Sequence, residues 1–167
     1  MNSSSAVGKG QTAEEKRLEL EPFNFRVNSN GWVKRTDPNG QEYLESPPSR
    51  PGIWEFINCK KHPELNGEQL FTWDAAMRET ARAGKRIPSN EEFDKLLKTK
   101  DDMPNPVFAG YRNPDGSFSY GGSNGYFWSS VQSSSSAWRR YLHSGEVRVG
   151  RSTHNKAYGF SVRCLKD

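Results

Sequence analysis

Apolar residues repeat with the spacing of a helix in the middle of the chain and with the spacing of a strand near its end. Phe93, Leu96 and Leu97 occupy positions i, i+3 and i+4, which places their side chains on one face of an α-helix. In the last strand an alternation of period two predicts one apolar face, made by Tyr158, Phe160, Val162 and Cys164. The pattern therefore predicts helices in the middle of the chain and strands near its end.

Capping signals set where the two predicted helices begin. Thr72 precedes an alanine-rich first helix as its N-cap, because a Thr oxygen accepts a hydrogen bond from a free N–H of the first turn. Gly84 supplies the stop at the other end. Ser89 precedes the second helix, and Glu92 follows three residues later, which is the arrangement of a capping box.

A β-hairpin is predicted before the helices. Asp37-Pro38-Asn39-Gly40 is a strong turn signal. Trp32 and Val33 lead into this turn, and Tyr43 and Leu44 lead out of it. After a proline-rich connection, we expect a short strand near residues 69–71.

From Val107 onward the sequence predicts only strands, turns and loops. The expected connections are a turn at 113–116, a flexible loop at 121–125 and a loop at 133–136, with a short aromatic strand at 126–128.

Residues 138–143 and 147–149 are predicted to pair around a tight Ser144-Gly145 turn, followed by a loop at 151–154. Because side chains alternate along a strand, Arg139, Tyr141 and His143 should share an outer face with Arg148 across the turn. Trp138 and Leu142 should face the core.

The composition of the chain predicts one modest domain with a local basic patch. The chain has 167 residues, a mean hydropathy of −0.94 and 12% aromatic residues, so we expect a small core rich in large rings. The net charge is +4, and residues 137–156 hold five Lys or Arg against Glu146 alone. A local surplus of this kind favours a partner surface, although an ordinary solvated basic hairpin is the alternative.

Three parts are expected: a disordered tail at 1–20, an N-terminal extension with the hairpin at 21–66, and the main domain at 67–167. The N-terminus has no apolar run typical of a signal peptide, and no stretch is long enough to span a bilayer. We therefore expect a soluble protein made in the cytoplasm, without membrane insertion. Cys59 and Cys164 are expected to be buried thiols, and whether they pair stays open.

The order and spacing of six short motifs resemble the formylglycine-generating-enzyme-like and major-paralogous-domain branch of the C-type lectin fold. The motifs are LFTWDAAM, GKRIPSNEEFDKLL, GYRNPDGSF, GYFWSS, AW and YGFSVRC, and the resemblance covers roughly residues 70–167. The resemblance implies an α+β, C-type lectin-like fold with two helices packed on a twisted, mostly antiparallel sheet, with an N-terminal extension. Its final strand would pair near the first. The implied core is Trp73, Phe93, Phe127, Trp128, Trp138, Phe160 and Val162.

Within that branch, the C-terminal region resembles the variable region of proteins diversified by a retroelement, a group that includes the major tropism determinant of a phage. The resemblance implies a variable region at about 111–156 that binds a protein or cell-surface ligand, with display on a virion or cell surface. The implied ligand-binding residues are Arg139, Arg140, Tyr141, His143, Ser144, Gly145, Arg148, Gly150, Arg151, Ser152, His154, Tyr120 and Tyr126. Weaker rim candidates are Tyr111, Arg112, Ser123 and Asn124.

The residue types of this region agree with that mechanism. In the family, adenines of AAC or AAT codons are mutated, which can produce Arg, Tyr, His, Ser, Gly, Thr and Asn, among others, but not Trp, Gln, Glu, Lys or Met. The residues expected to be fixed are therefore Trp128, Gln132, Trp138, Glu146 and Lys156. Tyr and Arg also dominate binding hot spots. Arg140 is a misfit, because relatives tend to have an apolar residue there, so it either lies at a strand irregularity or lays its stem over apolar surface.

Other functional classes fit the residues less well. Formylglycine-generating enzymes need a reactive cysteine pair, but Cys164 belongs to the predicted core and Cys59 lies outside the matched region, so no catalysis is expected. The acidic-Pro-Asn and Trp-Asn-Asp calcium motifs of sugar-binding lectins do not occur in the matched region, and the three His show no metal-ligand spacing. No cofactor and no metal are expected. Calcium-independent glycan binding stays an alternative, and nucleic acid is a weaker one.

Overall fold

The structure is a computed structural model that describes residues 19–25, 30–104 and 106–166. In this part of the chain the fold is mixed α+β, with two α-helices and eleven short strands in four antiparallel sheets. The strands are β1 Leu20–Pro22, β2 Val33–Thr36, β3 Glu42–Glu45, β4 Ile53–Phe56, β5 Gln69–Phe71, β6 Tyr111–Arg112, β7 Phe118–Ser119, β8 Asn124–Ser133, β9 Ser136–His143, β10 Gly150–Asn155 and β11 Arg163–Leu165. The helices are α1 Trp73–Arg82 and α2 Asn90–Leu96.

Both helices begin where the capping signals predicted. The Thr72 hydroxyl accepts a hydrogen bond from the Ala75 N–H, and Ser89 and Glu92 form a complete capping box. Gly84 follows α1 with a φ of +70°, a left-handed conformation that a glycine adopts without the Cβ clash of other residues.

The predicted N-terminal hairpin is confirmed as β2 and β3. The Asp37 carboxylate accepts hydrogen bonds from the N–H groups of Asn39 and Gln41, at 3.0 and 2.7 Å, and so holds the turn. The hairpin continues into β4 and β5, giving the sheet order β2-β3-β4-β5.

The expected extension and main domain share this sheet and the core. The boundary predicted between residues 66 and 67 falls between β4 and β5, which pair directly. Phe25 and Ile53 pack in one cluster with Trp128 and Phe160. At the predicted last strand, Phe160 forms a bridge with Phe71 of β5, the first strand of the 70–167 region, and the following strand β11 pairs with β1. Leu20 of the predicted tail therefore lies in β1, while residues 1–18 lie outside the described residues.

The central three-stranded sheet has the order β10-β9-β8. The predicted C-terminal hairpin is wrong in its second strand. The partner of β9 is residues 150–155 rather than 147–149, with Tyr141 opposite Gly150. Val147 is 63% exposed in a six-residue connection (144–149). Lys100 anchors that connection, since its N–H and its Nζ donate to the Val147 and Ser144 carbonyls. The segment expected as a loop at 151–154 is part of β10.

The two faces of this sheet are covered by different clusters. On one face, Phe127 and Leu142 pack with Phe93 and Leu97 of the α2 region. On the other face, a separate cluster gathers around the fully buried rings of Trp128 and Phe160. Of the seven predicted core residues, six are buried, but Trp138 is only half-buried, with the Arg151 guanidinium over its ring.

Cys59 and Cys164 are both buried, as expected. Among the described residues, none of the helices combines the length and apolar character needed to cross a bilayer. In the same residues, no group of three or more His, Cys, Asp or Glu is arranged to hold a metal ion.

Candidate functional site

Five tyrosines, one arginine and one histidine converge on the side of the central sheet away from α2. We call this surface the tyrosine face, and its members are Tyr111, Tyr120, Tyr126, Arg139, Tyr141, His154 and Tyr158. The ring of Tyr111 is its hub, with centroids of Tyr120, Tyr126 and Tyr158 at 5.7, 5.1 and 5.6 Å. Ring pairs at these separations are attractive beyond their buried area.

Strand register brings members of the face together from distant parts of the sequence. Tyr126 of β8 lies opposite Tyr141 of β9, and their ring centroids are 5.3 Å apart. On the other side of β9, Ser152 of β10 lies opposite Arg139. Because directly paired residues point to the same face, Ser152 joins the edge of this surface.

Arg139 lies at the centre of the face. Its guanidinium carbon is 4.9 Å from the ring centroid of Tyr126 and 5.8 Å from that of Tyr141. Its Nε–H donates a hydrogen bond of 3.2 Å to Nδ1 of His154. Burial lowers the pKa of Arg139, because removing the guanidinium from water disfavours the charged form. The residue is thus a partly desolvated cation held by aromatic rings.

His154 is fixed in its neutral form by the same contact. Since Nδ1 accepts the hydrogen bond from Arg139, the ring proton of neutral His154 is on Nε2. The ring lies 4.2 Å from that of Tyr158 and 5.2 Å from that of Phe160. Burial lowers the pKa of His154, and the charge of Arg139 lowers it further.

The hydroxyls of Tyr111 and Tyr126 are protonated at neutral pH. Burial raises the pKa of Tyr111 and of Tyr126, and neighbouring tyrosines raise each further. Asn124, which is buried beside them, donates from Nδ2 to the Tyr126 hydroxyl at 3.1 Å. Protonated phenols next to a guanidinium give the face several hydrogen-bond donors.

The face has a buried floor and an exposed rim. Tyr126 is 6% exposed, whereas Tyr120 is 58% exposed. Tyr120 has a φ of +62°, which is uncommon for a residue with a Cβ and indicates a conformation held by its surroundings. Its carbonyl accepts hydrogen bonds from the N–H groups of Ser123 and Asn124, so the turn before β8 fixes the backbone of Tyr120.

Part of the sequence-predicted site therefore comes together on one surface. The predicted residues that lie on or beside the tyrosine face are Tyr120, Tyr126, Arg139, Tyr141, Gly150, Ser152 and His154.

Arg140 and Arg151 lie on the opposite face, against the expectation. Arg140 is 4% exposed and donates to Asp94 Oδ1 and to the Asn90 carbonyl, both at 2.8 Å. Its guanidinium carbon lies 5.4 Å from the Phe93 ring centroid, so its stem covers apolar surface. Arg151 pairs with Arg140 in the register, covers Trp138 and reaches Asp94 Oδ2 at 3.6 Å.

The residues of the connection that follows β9 are separate from the face. The predicted shared face of Tyr141 and Arg148 is wrong, because Arg148 lies in the 144–149 connection, where its 83% exposed side chain reaches Glu146 at 3.6 Å. Ser144 and Gly145 lie in the same connection. His143 ends β9 opposite Asn124, on the same side of the strand as Tyr141, and its Nδ1 accepts the Gly145 N–H.

Sequence reasoning missed one member of the face and placed another only at its rim. Tyr158 was expected on the inner side of the last strand, but its half-buried ring contacts His154. Tyr111 was a rim candidate and is the hub. The other rim candidates differ: Arg112 lies over Trp54 at 3.8 Å, and Asn124 is buried. Four separate strands contribute to this face, and no local sequence pattern predicts which strands will lie side by side.

Comparisons with known proteins add no family to this geometry: no family model, no curated protein and no solved structure matches the chain.

Proposed function

We propose that this protein is a ligand-binding protein with a C-type lectin fold, and that a retroelement diversifies the residues of its tyrosine face. One observation carries the proposal: five tyrosines, Arg139 and His154 gather on one face of a sheet whose other face packs against α2. Tyr and Arg supply large contact areas and hydrogen bonds at low entropic cost. The protein is proposed to bind and not to catalyse.

The separation of binding and packing residues supports diversification. Arg139 and Tyr141 point to the tyrosine face, while Arg140 and Leu142 alternate with them and are buried. A strand of this kind can exchange one set of side chains while the other set maintains the fold. All seven members of the face are residue types that adenine mutation of AAC or AAT codons can produce. The buried Trp128 is not such a type, as a fixed core residue requires.

The topology is compatible with a C-type lectin fold. Two helices and short, antiparallel strands are what the C-type lectin resemblance implies. The N-terminal hairpin adds β2 and β3 to the sheet that contains β5.

A pair of codon libraries tests the proposal. The first library carries NNY codons, which cover the adenine-derived set, at positions 139, 141, 152 and 154. The matched library carries the same codons at the buried positions 127, 128, 140 and 142. Each library is displayed and scored for protease resistance. We expect most members of the first library and few of the second to resist, because surface changes usually cost under about 0.5 kcal/mol and core changes cost several.

Selection of the first library against unrelated proteins should also yield specific binders. Equal loss of folding in both libraries would contradict the division between faces. The genomic neighbourhood gives an independent check: we expect a reverse-transcriptase gene and a near-repeat of the 3′ coding end that differs at adenines.

A calcium-independent glycan-binding role is the second candidate, favoured by the exposed rim ring of Tyr120, since aromatic faces stack on sugars. A glycan array probed with and without chelator separates the two. Binding to one glycan class, retained in chelator and unaffected by adenine-site variation, would favour the lectin. A nucleic-acid ligand would instead give binding that falls steeply with salt.

A further inference from the structure

Arg139 is a partly buried cation with no carboxylate partner in the described part of the chain. Among those residues, no Asp or Glu oxygen lies within 4.0 Å of its nitrogens. The groups around the guanidinium are the rings of Tyr126 and Tyr141 and the neutral His154. Taking a charge out of water is costly unless a partner compensates.

The other partly buried arginines show what such compensation looks like in this molecule. Arg140 and Arg163 bind Asp94 and Glu68, at 2.8 and 3.3 Å. Arg50 and Arg78 share the buried Glu79. Arg112 has no ion pair of this length among the residues that the structure describes, but it interacts electrostatically with Glu45 and Asp115.

The free donors of Arg139 are suited to an anion. Its Nε–H is already bonded to His154, and in the described residues its two Nη groups have no acceptor. Two Nη groups on a planar guanidinium match the geometry of a carboxylate. The neighbouring phenols add further donors.

We infer that Arg139 binds a carboxylate of the ligand, in a position flanked by the rings of Tyr126 and Tyr141. The inference rests on the proposed function and specifies its partner for the present sequence: a protein that presents an acidic side chain or a C-terminal carboxylate beside an apolar group. The bound carboxylate supplies the counter-charge that the face lacks, and the aromatic rings contact the group that carries it.

A phosphate-rich partner fits this surface less well. Arg139 is the one cationic member of the tyrosine face, and the nearby Arg140 and Arg151 both turn to Asp94 on the opposite side. Nucleic acids and anionic membranes are bound through several cations that act together. A single guanidinium among tyrosines is typical of a site for one carboxylate.

The test uses benzoate as the probe and benzamide as its neutral isostere, with the full chain followed by NMR. Benzoate should shift the Arg139 Nε–H resonance and the ring resonances of Tyr126 and Tyr141, and the shifts should saturate. Benzamide should bind at least about tenfold more weakly, because it lacks the charge-assisted hydrogen bonds. Equal binding of the two probes would overturn the inference, and this comparison needs no variant.

Two further arms distinguish the source of the anion. Inorganic phosphate and the methyl glycoside of sialic acid are titrated in the same way. We expect both to bind more weakly than benzoate, because neither offers an apolar ring to the tyrosines. Tighter binding of phosphate, or of the sialoside, would overturn the assignment to a protein carboxylate.

Variants locate the site. Arg139→Gln should weaken benzoate binding by about tenfold or more, and Arg139→Lys should weaken it by less, since Lys keeps the charge but loses the fork. Arg148→Gln, at an exposed arginine outside the face, should leave it within about twofold. An equal effect of Arg148→Gln would overturn the inference.

If benzoate does not bind while the codon library at the tyrosine face still folds and yields binders, only the carboxylate inference fails.

Discussion

Arg139 and Arg140 are adjacent in β9, yet their side chains lie on opposite faces of the sheet and have opposite surroundings. Arg139 contacts tyrosines and His154 and has no acidic partner in the described residues. Arg140 is 4% exposed, contacts Phe93 and binds Asp94. Of two identical residues in a row, one thus lies on the tyrosine face and the other belongs to the packing against α2.

Replacing each of these arginines by serine should therefore have different effects on folding. Arg140→Ser removes a buried ion pair and two hydrogen bonds, and we expect the free energy of unfolding to fall by about 1–3 kcal/mol, since the partner Asp94 is half exposed and its charge stays solvated. Arg139→Ser should change it by less than about 1 kcal/mol, because the lost cation–π contact is offset by the relief of desolvation. Urea unfolding of both variants measures the difference, and a larger loss at Arg139 would contradict the assignment of the two faces.

Two tryptophans offer a second matched comparison. Trp128 is fully buried, donates from Nε1 to the Phe71 carbonyl at 2.7 Å and lies 4.2 Å from the Phe160 ring. Trp128→Ala should cost about 3–5 kcal/mol. Trp138 is half-buried under Arg151, so Trp138→Ala should cost less than half as much. Thermal unfolding of both variants tests this order, and an equal loss would mean that Trp138 belongs to the core after all.

The helices and turns could be predicted from the sequence because their signals are local. Thr72 and Ser89 cap helices through hydrogen bonds to residues three positions away, and Asp37 closes its turn through bonds within four positions. Hydrogen bonds between residues so close in the chain can be predicted from a short stretch of sequence.

The pairing of β9 could not be predicted in the same way. Ser144-Gly145 resembles a tight turn, and Val147 and Val149 resemble the start of a strand. In the structure, Lys100, which is far away in sequence, donates hydrogen bonds to the Ser144 and Val147 carbonyls, and the 144–149 connection lies outside the sheet. The polar segment 151–154 has weak strand propensity and becomes a strand because the β9 edge offers it hydrogen bonds.

The candidate site was only partly predictable for a related reason. Arg139, Tyr141 and His154 lie close together in sequence in the basic stretch, whereas Tyr111 and Tyr158 are brought to it by packing. Alternation along β9 separates Arg139 from Arg140, but it does not say which of the two faces α2 will cover.

The capping box of α2 should make folding sensitive to acid. The Arg86 guanidinium, together with hydrogen bonds from Ser89, lowers the pKa of Glu92 from 4.5 to about 2. A carboxylate with a lowered pKa stabilises the fold above its unfolded pKa, and this stability is lost as the pH falls from about 4.5 towards 2. Glu92→Gln should lower stability by about 1 kcal/mol at pH 7, a modest value because Arg86 is 62% exposed. The difference from the unmodified protein should vanish near pH 2 in urea unfolding, and a constant difference across this range would contradict the role of the charge.

His154 should make the tyrosine face sensitive to mild acid. Its pKa is lowered from 6.5 by burial and by Arg139, with Tyr111 and Tyr158 as its other titratable neighbours. The unfolded chain therefore binds a proton at a higher pH than the folded chain does, so the contribution to stability is complete above about pH 6.5 and is lost as the pH falls below it. Protonation would also replace the acceptor at Nδ1 with a donor that faces the Arg139 charge.

Between pH 7 and pH 5, the urea midpoint of the unmodified protein should fall further than that of His154→Asn, while His143→Asn, at the end of β9, should follow the unmodified protein. If His154→Asn and the unmodified protein lose stability in parallel over this range, His154 is not held neutral by the contact with Arg139.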